Sequence, residues 1–494
     1  VTAEHRDDLI VLVAAVVPLA LFLLRERSIA GAAGFPLDDS WIHLHFARNL
    51  AEGAGFAYNP GTPVAGSTAP LWTLVLAAGA RMAGASLMPA KLLGVAAAAG
   101  SALVLRRAAR AWDASPTVAC MTAIAFAWTG AFAWGALSGM EVMLASLLVT
   151  TAVWAVARGR DAVAAGAGAL AALARPEAIV LLPFLVLARR TAPRRLVLFA
   201  AIVAAVVVPF AAFCWATTGT PLPSTAAAKV EGGLLGRLIG VREPARLTWI
   251  DRPFAFGLEW LRWLAQTHPL LPVALPGIAL AWRRSRALAI IGLVLLAHPL
   301  AMALLAPYRG PGFQEGRYSI HLLPIAFLVL AIASTRVRAR ASNRPRLAMM
   351  SGVIYFALAL VALLPAASRY AWGVQNINAM QVHLGRWVDA NVPRGATLAV
   401  NDIGAIAYFS RRPVLDLMGL VTPEIRPYRR DGEPGILRFI AERCPDMVIV
   451  FPSWFPLLAA REAVFVPVYR VRLDHNEVAG GPEMVVYRLA RCAV

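Results

Sequence analysis

Apolar runs recur along the chain from residue 9 to residue 365, and the polar residues between them come in short, arginine-rich bursts. Most runs reach the roughly 20 residues that a helix needs to cross a bilayer. The pattern predicts a polytopic α-helical membrane protein, with the first run, 9–24, as its first span rather than a signal peptide. Five bursts order the spans: "RRAAR" (106–110), "RGR" (158–160), "RRTAPRR" (189–195), "RRSR" (283–286) and "RVRARASNRPR" (336–346). Each follows an apolar run: 89–105, 141–157, 178–188, 268–282 and 318–335. Put on the cytoplasmic side, the bursts send the intervening turns outside. The segment 69–84 is apolar but short, and as a full span it would turn every later burst outward. It is therefore expected as a helix at or partly in the outer interface. The count becomes eleven spans, with the N-terminus inside and the C-terminus outside. Arg25 and Arg27 fall on the outer side in this scheme, against the rule.

The character changes after residue 366. "VQNINAMQVHLGRWVDANV" predicts an amphipathic helix. "ATLAVND", "AIAYFS", "PVLDLM", "DMVIVFP", "FVPVYRVRL" and "EMVVYRL" predict strands, and "EPGILRFIAERC" a helix between two of them. Two domains are expected: 1–366 in the membrane and a small extracytoplasmic α/β domain, 367–494. The outer loop 217–252 is long and rich in Gly and Pro, as functional or disordered loops are.

Composition adds little to this until charge is considered. Only 15% of residues are charged, against about 25% in soluble domains. The net charge of +19 comes almost wholly from arginine, since Lys91 and Lys229 are the only lysines. Its position in short loops reports topology and attraction to anionic lipid rather than nucleic-acid binding. Cys120 and Cys214 lie in apolar runs as small core residues. Cys444 and Cys492 have no zinc-like spacing, and an outer location would let them pair.

The candidate chemistry gathers on the predicted outer side. Asp38 and Asp39 open "DDSWIHLHFARNL", a helix with an aspartate or Ser40 as its N-cap. Trp41, Ile42, Phe46 and Leu50 form an apolar side expected to rest on the membrane surface, and Asp39 and His43 share a face. "SGMEV" puts Glu141 at the outer start of a span, and "ARPEAI" puts Arg175 and Glu177 at an outer turn. Lys229 lies in the long outer loop. "GFQEGRYSIHLLP" brings Gln314, Glu315, Arg317 and Tyr318, with His321 one turn further in. Each alone is explained by topology or snorkelling; five such groups on one side point to function. Carboxylates can take a proton from a hydroxyl nucleophile. Arginine and lysine can hold a phosphate and stabilise it as a leaving group. Asp38, Asp39, His43 and His45 also offer ligands for a divalent metal.

The segment "DDSWIHLHFARNLAEGAGFAYNPGTPVAGSTAPLWTL" resembles the first outer loop of the GT-C superfamily of membrane glycosyltransferases. Within it, the match is to the group containing the mycobacterial terminal arabinofuranosyltransferase. That group carries an Asp-Asp pair, an Arg-Asn-Leu helix, a Gly-x-Gly-x-x-x-Asn-x-Gly turn and a Thr-x-x-x-Trp helix. "LSGME", "LARPEA" and "NDIGAIAYFSRRPVLDLMGLVTP" are similar to it as well. An acidic residue common in the family is replaced here by Ala65, and the outer domain is short. The resemblance implies two juxtamembrane helices, suited by 40–52 and 69–84. It implies a polyprenyl-phosphate-sugar donor and inverting transfer to a hydroxyl of a cell-envelope glycan, lipid or protein, at the outer face of the plasma membrane. It places the catalytic aspartate in the pair, Asp38 first and Asp39 next, with Glu141 beside them. Arg175, Lys229, Arg317 and Tyr318 would bind the donor phosphate, ringing a cavity below the aspartates. His43, Glu177, Gln314 and Glu315 would touch substrate. Members using a single lipid phosphate generally work without metal, so no cofactor is expected as a requirement. A transporter or flippase of lipid-linked sugars would instead show midplane charge pairs and inverted repeats, and a scaffold would leave the aspartate pair unexplained.

Overall fold

The computed structural model describes residues 3–230, 232–238, 240–334 and 345–492. The burst at 336–346 therefore lies almost entirely outside the described residues. Among the described residues, five helices are long and apolar enough to span a membrane: Glu4–Ala30 (α1), Leu87–Ala111, Pro193–Thr218, Arg286–Leu304 and Gly352–Asn391. A sixth candidate is the pair Pro116–Ala127 and Gly130–Leu137, bent by 63°. Five shorter apolar helices accompany them, including Val142–Ala157, Asp161–Ala174 and Ile320–Ala333. The chain is a multi-pass membrane protein.

The chain divides into two compact units: Val1–Leu24, Lys91–Phe210 and Val230–Ala367 form the first, and Arg25–Ala90, Ala211–Lys229 and Ser368–Val494 the second. In the first unit small residues let helices approach closely, as lipid-embedded interfaces require. Gly94 packs on the Ala136 carbonyl, and Ser101 and Ser146 hydrogen-bond across helices at 2.9 Å. Several burst arginines are also structural. Arg106 donates to Asp8 at 2.8 Å, and Arg195 donates to Asp161 at 2.9 Å and to the Leu185 carbonyl.

The second unit is built on a five-stranded sheet: β1 (Leu398–Val400), β2 (Val414–Asp416), β3 (Met447–Val450), β4 (Phe465–Arg472) and β5 (Glu483–Leu489). Their order is β2-β1-β3-β5-β4. β1 runs parallel to β2 and β3, and β5 is antiparallel to β3 and β4. The two-residue period of a strand sorts the side chains. Leu398, Val400 and Ile449 enter one core with Ile42, Phe46, Tyr58 and Val64. Ala399, Val448 and Val450 enter another with Phe439 and Ile440 of the helix Gly432–Arg443. Five of the six expected strands form.

The sixth does not. "AIAYFS" is the helix Gly404–Ser410. Its apolar run is short enough to suit either period, and tertiary contacts at its start decide for helix. A second correction concerns α2 (Asp39–Ala51). Trp41, Ile42 and Phe46 do not face lipid; residues 40–49 are all buried within the second unit. Trp41 packs on Phe35, Tyr408 and Phe409. α3 (Pro70–Ala83) has 14 residues, a length of about 21 Å, too short for the roughly 30 Å hydrocarbon core. The loop 217–252 contains the short helices Ser224–Ala228 and Gly233–Leu238. Cys444 and Cys492 form a disulfide.

Candidate functional site

The expected site residues fall into one cluster in each unit. In the second unit, Asp38 precedes α2 with helical backbone angles and makes no capping bond to it. Its carboxylate instead caps another element. One oxygen accepts the Gly404 N–H at 2.7 Å and the other the Ala405 N–H at 2.8 Å. The sequence spacing of 366 residues hides this pairing. Glycine is required at 404, because a Cβ there would press on the Asp38 carboxyl and carbonyl. Tyr58, wholly buried, fixes the same loop by donating to the Ile403 carbonyl at 2.7 Å.

Asp402, just before this loop, is the residue that the sequence reading passed over. Its charge is the largest charge effect on Asp38, ahead of that of Asp39. Burial and then these two carboxylates push the Asp38 carboxyl well above the usual range, against the two N–H bonds. Asp402 is itself pushed up to about 6, by burial first and by Asp39 and Asp416, while a 2.8 Å bond from Gln381 Nε2 opposes the rise. Asp38, Asp39 and Asp402 are all half-buried. The only sequence signal for Asp402 was its place in "NDIGAIAYFS", quoted for resemblance and not for chemistry.

Both histidines of α2 are buried inside the second unit. His45 Nε2 lies 2.9 Å from the Tyr58 carbonyl, and burial with the neighbouring Arg48 drives its pKa down to about 3. His43 is buried, with Nδ1 3.3 Å from Ser67 Oγ, which in turn meets Thr73 of α3 at 3.0 Å. Lys229 belongs to this unit too, at the C-terminal end of Ser224–Ala228. Ser224 N donates to the Ala65 carbonyl at 2.8 Å, and Thr225 Oγ1 to the Leu420 carbonyl at 3.2 Å.

In the first unit Arg175 forms a buried pair with Glu141 and lies 3.1 Å from Glu177. Its guanidinium sits 4.5 Å from the centre of the Tyr318 ring. Arg317 approaches the same ring to 5.0 Å and donates to the Tyr318 hydroxyl at 3.0 Å. Glu141, Arg175 and Arg317 are 1%, 5% and 5% exposed. Two guanidinium groups thus flank one phenol, with two carboxylates beside Arg175. His298 and His321 extend it inward. Their rings are 5.6 Å apart, and His298 Nε2 meets Ser319 Oγ at 3.0 Å. His298 was hidden in an apolar run.

Gln314 and Glu315 lie just before Arg317 in a turn of unusual conformation. Their φ values are 48° and 60°, and Gly316 follows at 75°. Left-handed geometry costs a non-glycine residue about 1–2 kcal/mol. The helix Arg252–Thr267 holds the turn: Trp263 Nε1 donates to the Glu315 carbonyl at 3.0 Å, and Glu259 accepts the Gly312 N–H at 2.9 Å. The strain delivers Arg317 and Tyr318 to Arg175.

Comparison with solved structures finds this architecture elsewhere. The Archaeoglobus fulgidus oligosaccharyltransferase in complex with Zn and sulfate matches over 94% of this chain and 72% of its own, at 14% identity and TM-score 0.61. ArnT from Cupriavidus metallidurans bound to undecaprenyl phosphate matches over 97% and 98%, at 14% identity and TM-score 0.56. The chain shares the fold of these structures. Archaeal AglB from Archaeoglobus fulgidus, in complex with an inhibitory peptide and a dolichol-phosphate, matches over 99% and 75%, at 12% identity and TM-score 0.58. A family model described as a domain of unknown function (DUF8728) matches residues 375–487. Comparison with curated protein sequences gave no match.

One of these structures holds zinc. Among the described residues no group of three or more His, Cys, Asp or Glu is arranged to hold one. Both Asp38 oxygens accept N–H bonds and His45 is engaged by Tyr58.

Proposed function

We propose that the chain is an inverting glycosyltransferase. It moves a sugar from a polyprenyl-phosphate donor to a hydroxyl of a cell-envelope glycan, lipid or protein. The observation that carries this reading is the Asp38 carboxylate, oriented by two backbone N–H groups and flanked by Asp39 and Asp402. A carboxylate so held suits general-base work, because its direction is set and its proton affinity raised. In the proposed reaction Asp38 takes the proton of the acceptor hydroxyl. That oxygen attacks the anomeric carbon from the face opposite the phosphate. The bond from that carbon to the phosphate oxygen breaks, and its electron pair leaves on the lipid phosphate. That charge calls for cationic partners, and Arg175, Arg317, Tyr318 and Lys229 remain the proposed donor-phosphate contacts. Glu141 holds Arg175 in place. Glu177, Gln314, Glu315 and His43 remain proposed substrate contacts.

The undecaprenyl phosphate of ArnT and the dolichol-phosphate of AglB support a lipid-phosphate donor for this fold. The motif pattern supports a place near the terminal arabinofuranosyltransferase group. The arginine bursts support eleven spans in the plasma membrane. The disulfide supports an extracytoplasmic site for the C-terminal domain, since disulfides persist in oxidising compartments. The test is transfer by the purified protein in liposomes from a panel of polyprenyl-phosphate sugars, with the product linkage read by NMR. Asp38→Asn and Asp39→Asn are expected to lose transfer while remaining folded. Full activity in both, or lipid flipping with no transfer product, would overturn the proposal.

A further inference from the structure

Asp38 faces opposing demands. Two N–H donors favour its ionised form and so weaken it as a base. Burial acts the other way, and a neighbouring negative charge raises its affinity for a proton further. We propose that Asp402 does so: it is a positioning carboxylate of the acid–base centre, whose negative charge beside Asp38 keeps that residue a competent base. This inference rests on the reading of Asp38 as the base.

The geometry is specific. Asp402 lies between Asn401, which accepts the Phe451 N–H at 3.3 Å, and Ile403, whose carbonyl is held by Tyr58. Gln381 Nε2 holds the Asp402 carboxylate from the π-helical turn Asn378–Val382. The loop that Asp402 enters is the one that Asp38 grips at Gly404 and Ala405. Thus the residue that orients Asp38 and the residue that charges it share one loop. The ionisable groups facing this centre come from every side. They are Asp39 from α2, Tyr58 from the turn after it, and Asp416 from β2. Arg48 acts on Tyr58, and Arg429 on Asp416.

Gln381 supplies a second observation. It is wholly buried, and its Oε1 has no hydrogen-bond partner among the described residues. An amide donates from one end and accepts at the other. As placed, it donates to ionised Asp402. Turned over, it would accept from protonated Asp402. The loop therefore tolerates Asp402 in either charge state, which a group that tunes a base requires.

The experiment is the pH profile of kcat/KM for transfer by the full-length protein, compared with Asp402→Asn and Asp402→Glu. Removing the charge lowers the proton affinity of Asp38. The acid limb of Asp402→Asn should therefore move to lower pH by on the order of one unit, and Asp402→Glu should keep it near the wild-type position. A limb that stays in place while activity falls uniformly assigns Asp402 a structural role and overturns the inference. If wild type transfers no sugar, the proposed function fails, and a second measurement still decides this point. Asp402 has a raised folded-state pKa, near 6. Its stabilising contribution is full below about pH 4 and is lost as pH rises through 6. The fall in Tm between pH 4 and 6 should be shallower in Asp402→Asn; an unchanged fall overturns the claim that Asp402 takes up the proton. Asp416, also near 6, remains in the variant, so the fall is reduced and not abolished.

Discussion

Gly404→Ala tests the anchoring of Asp38 most directly. An alanine Cβ would lie 2.7 Å from both Cγ and Oδ1 of Asp38, and closer still to its carbonyl oxygen. Ordinary carbon contacts begin near 3.5 Å. The carbonyl opens the first hydrogen bonds of α2, donated by Trp41 and Ile42, so it cannot retreat freely. The carboxylate must withdraw instead, and the N–H bonds of Gly404 and Ala405 are broken. Each bond to a charged group contributes about 1.5–3 kcal/mol, so with two bonds broken the variant should lose about 3–6 kcal/mol. For a unit of about 200 residues that corresponds to a Tm lower by roughly 6–24 °C. Transfer should fall with it, because the base loses its orientation. The assay is thermal unfolding of the purified protein followed by near-ultraviolet dichroism, with Gly395→Ala as control. No atom approaches a Cβ at Gly395, so that change should stay within about 1 kcal/mol of wild type. If Gly404→Ala matches the control in Tm and in transfer, Asp38 is not held as described.

Two further outcomes are expected. Gly316→Ala combines a φ of 75° with a Cβ that overlaps the Trp263 indole; donor KM should rise at least tenfold through displaced Arg317 and Tyr318, and unchanged kinetics would show that the turn does not position them. Cys444→Ser opens a bridge across 48 residues and should cost about 2–4 kcal/mol; the same Tm loss should follow reduction of the wild-type protein, and insensitivity to both would refute a stabilising bridge.

Local patterns carried most of the architecture. The apolar periodicity and arginine bursts mark a multi-pass chain, and valine-rich alternation marks five strands of the sheet. What local patterns lack is knowledge of distant partners. "AIAYFS" alternates well enough for a strand, yet a carboxylate 366 residues upstream caps its first turn and makes it a helix. The apolar side of α2 looks lipid-facing by composition, but that composition is the same whether the partner is lipid or the sheet's core. Arg175, Glu141 and Arg317 stood out as candidates because charge in an apolar chain is costly wherever it falls, and the structure brings them together around Tyr318. Asp402 was not, because an aspartate after a strand is ordinary until Asp38 is seen beside it.

The split construction of the second unit has a consequence for how the protein is made. Asp38 emerges early in translation, whereas its two N–H partners lie 366 and 367 residues later. Contacts this remote form only after the long intervening chain has been closed. The nascent protein must therefore insert its membrane helices with the acidic loop unfinished. A chain interrupted anywhere before residue 405 carries the aspartates without the element that aims them. Catalytic competence, on this view, is switched on by completion of synthesis, and half-made copies in the membrane are chemically silent.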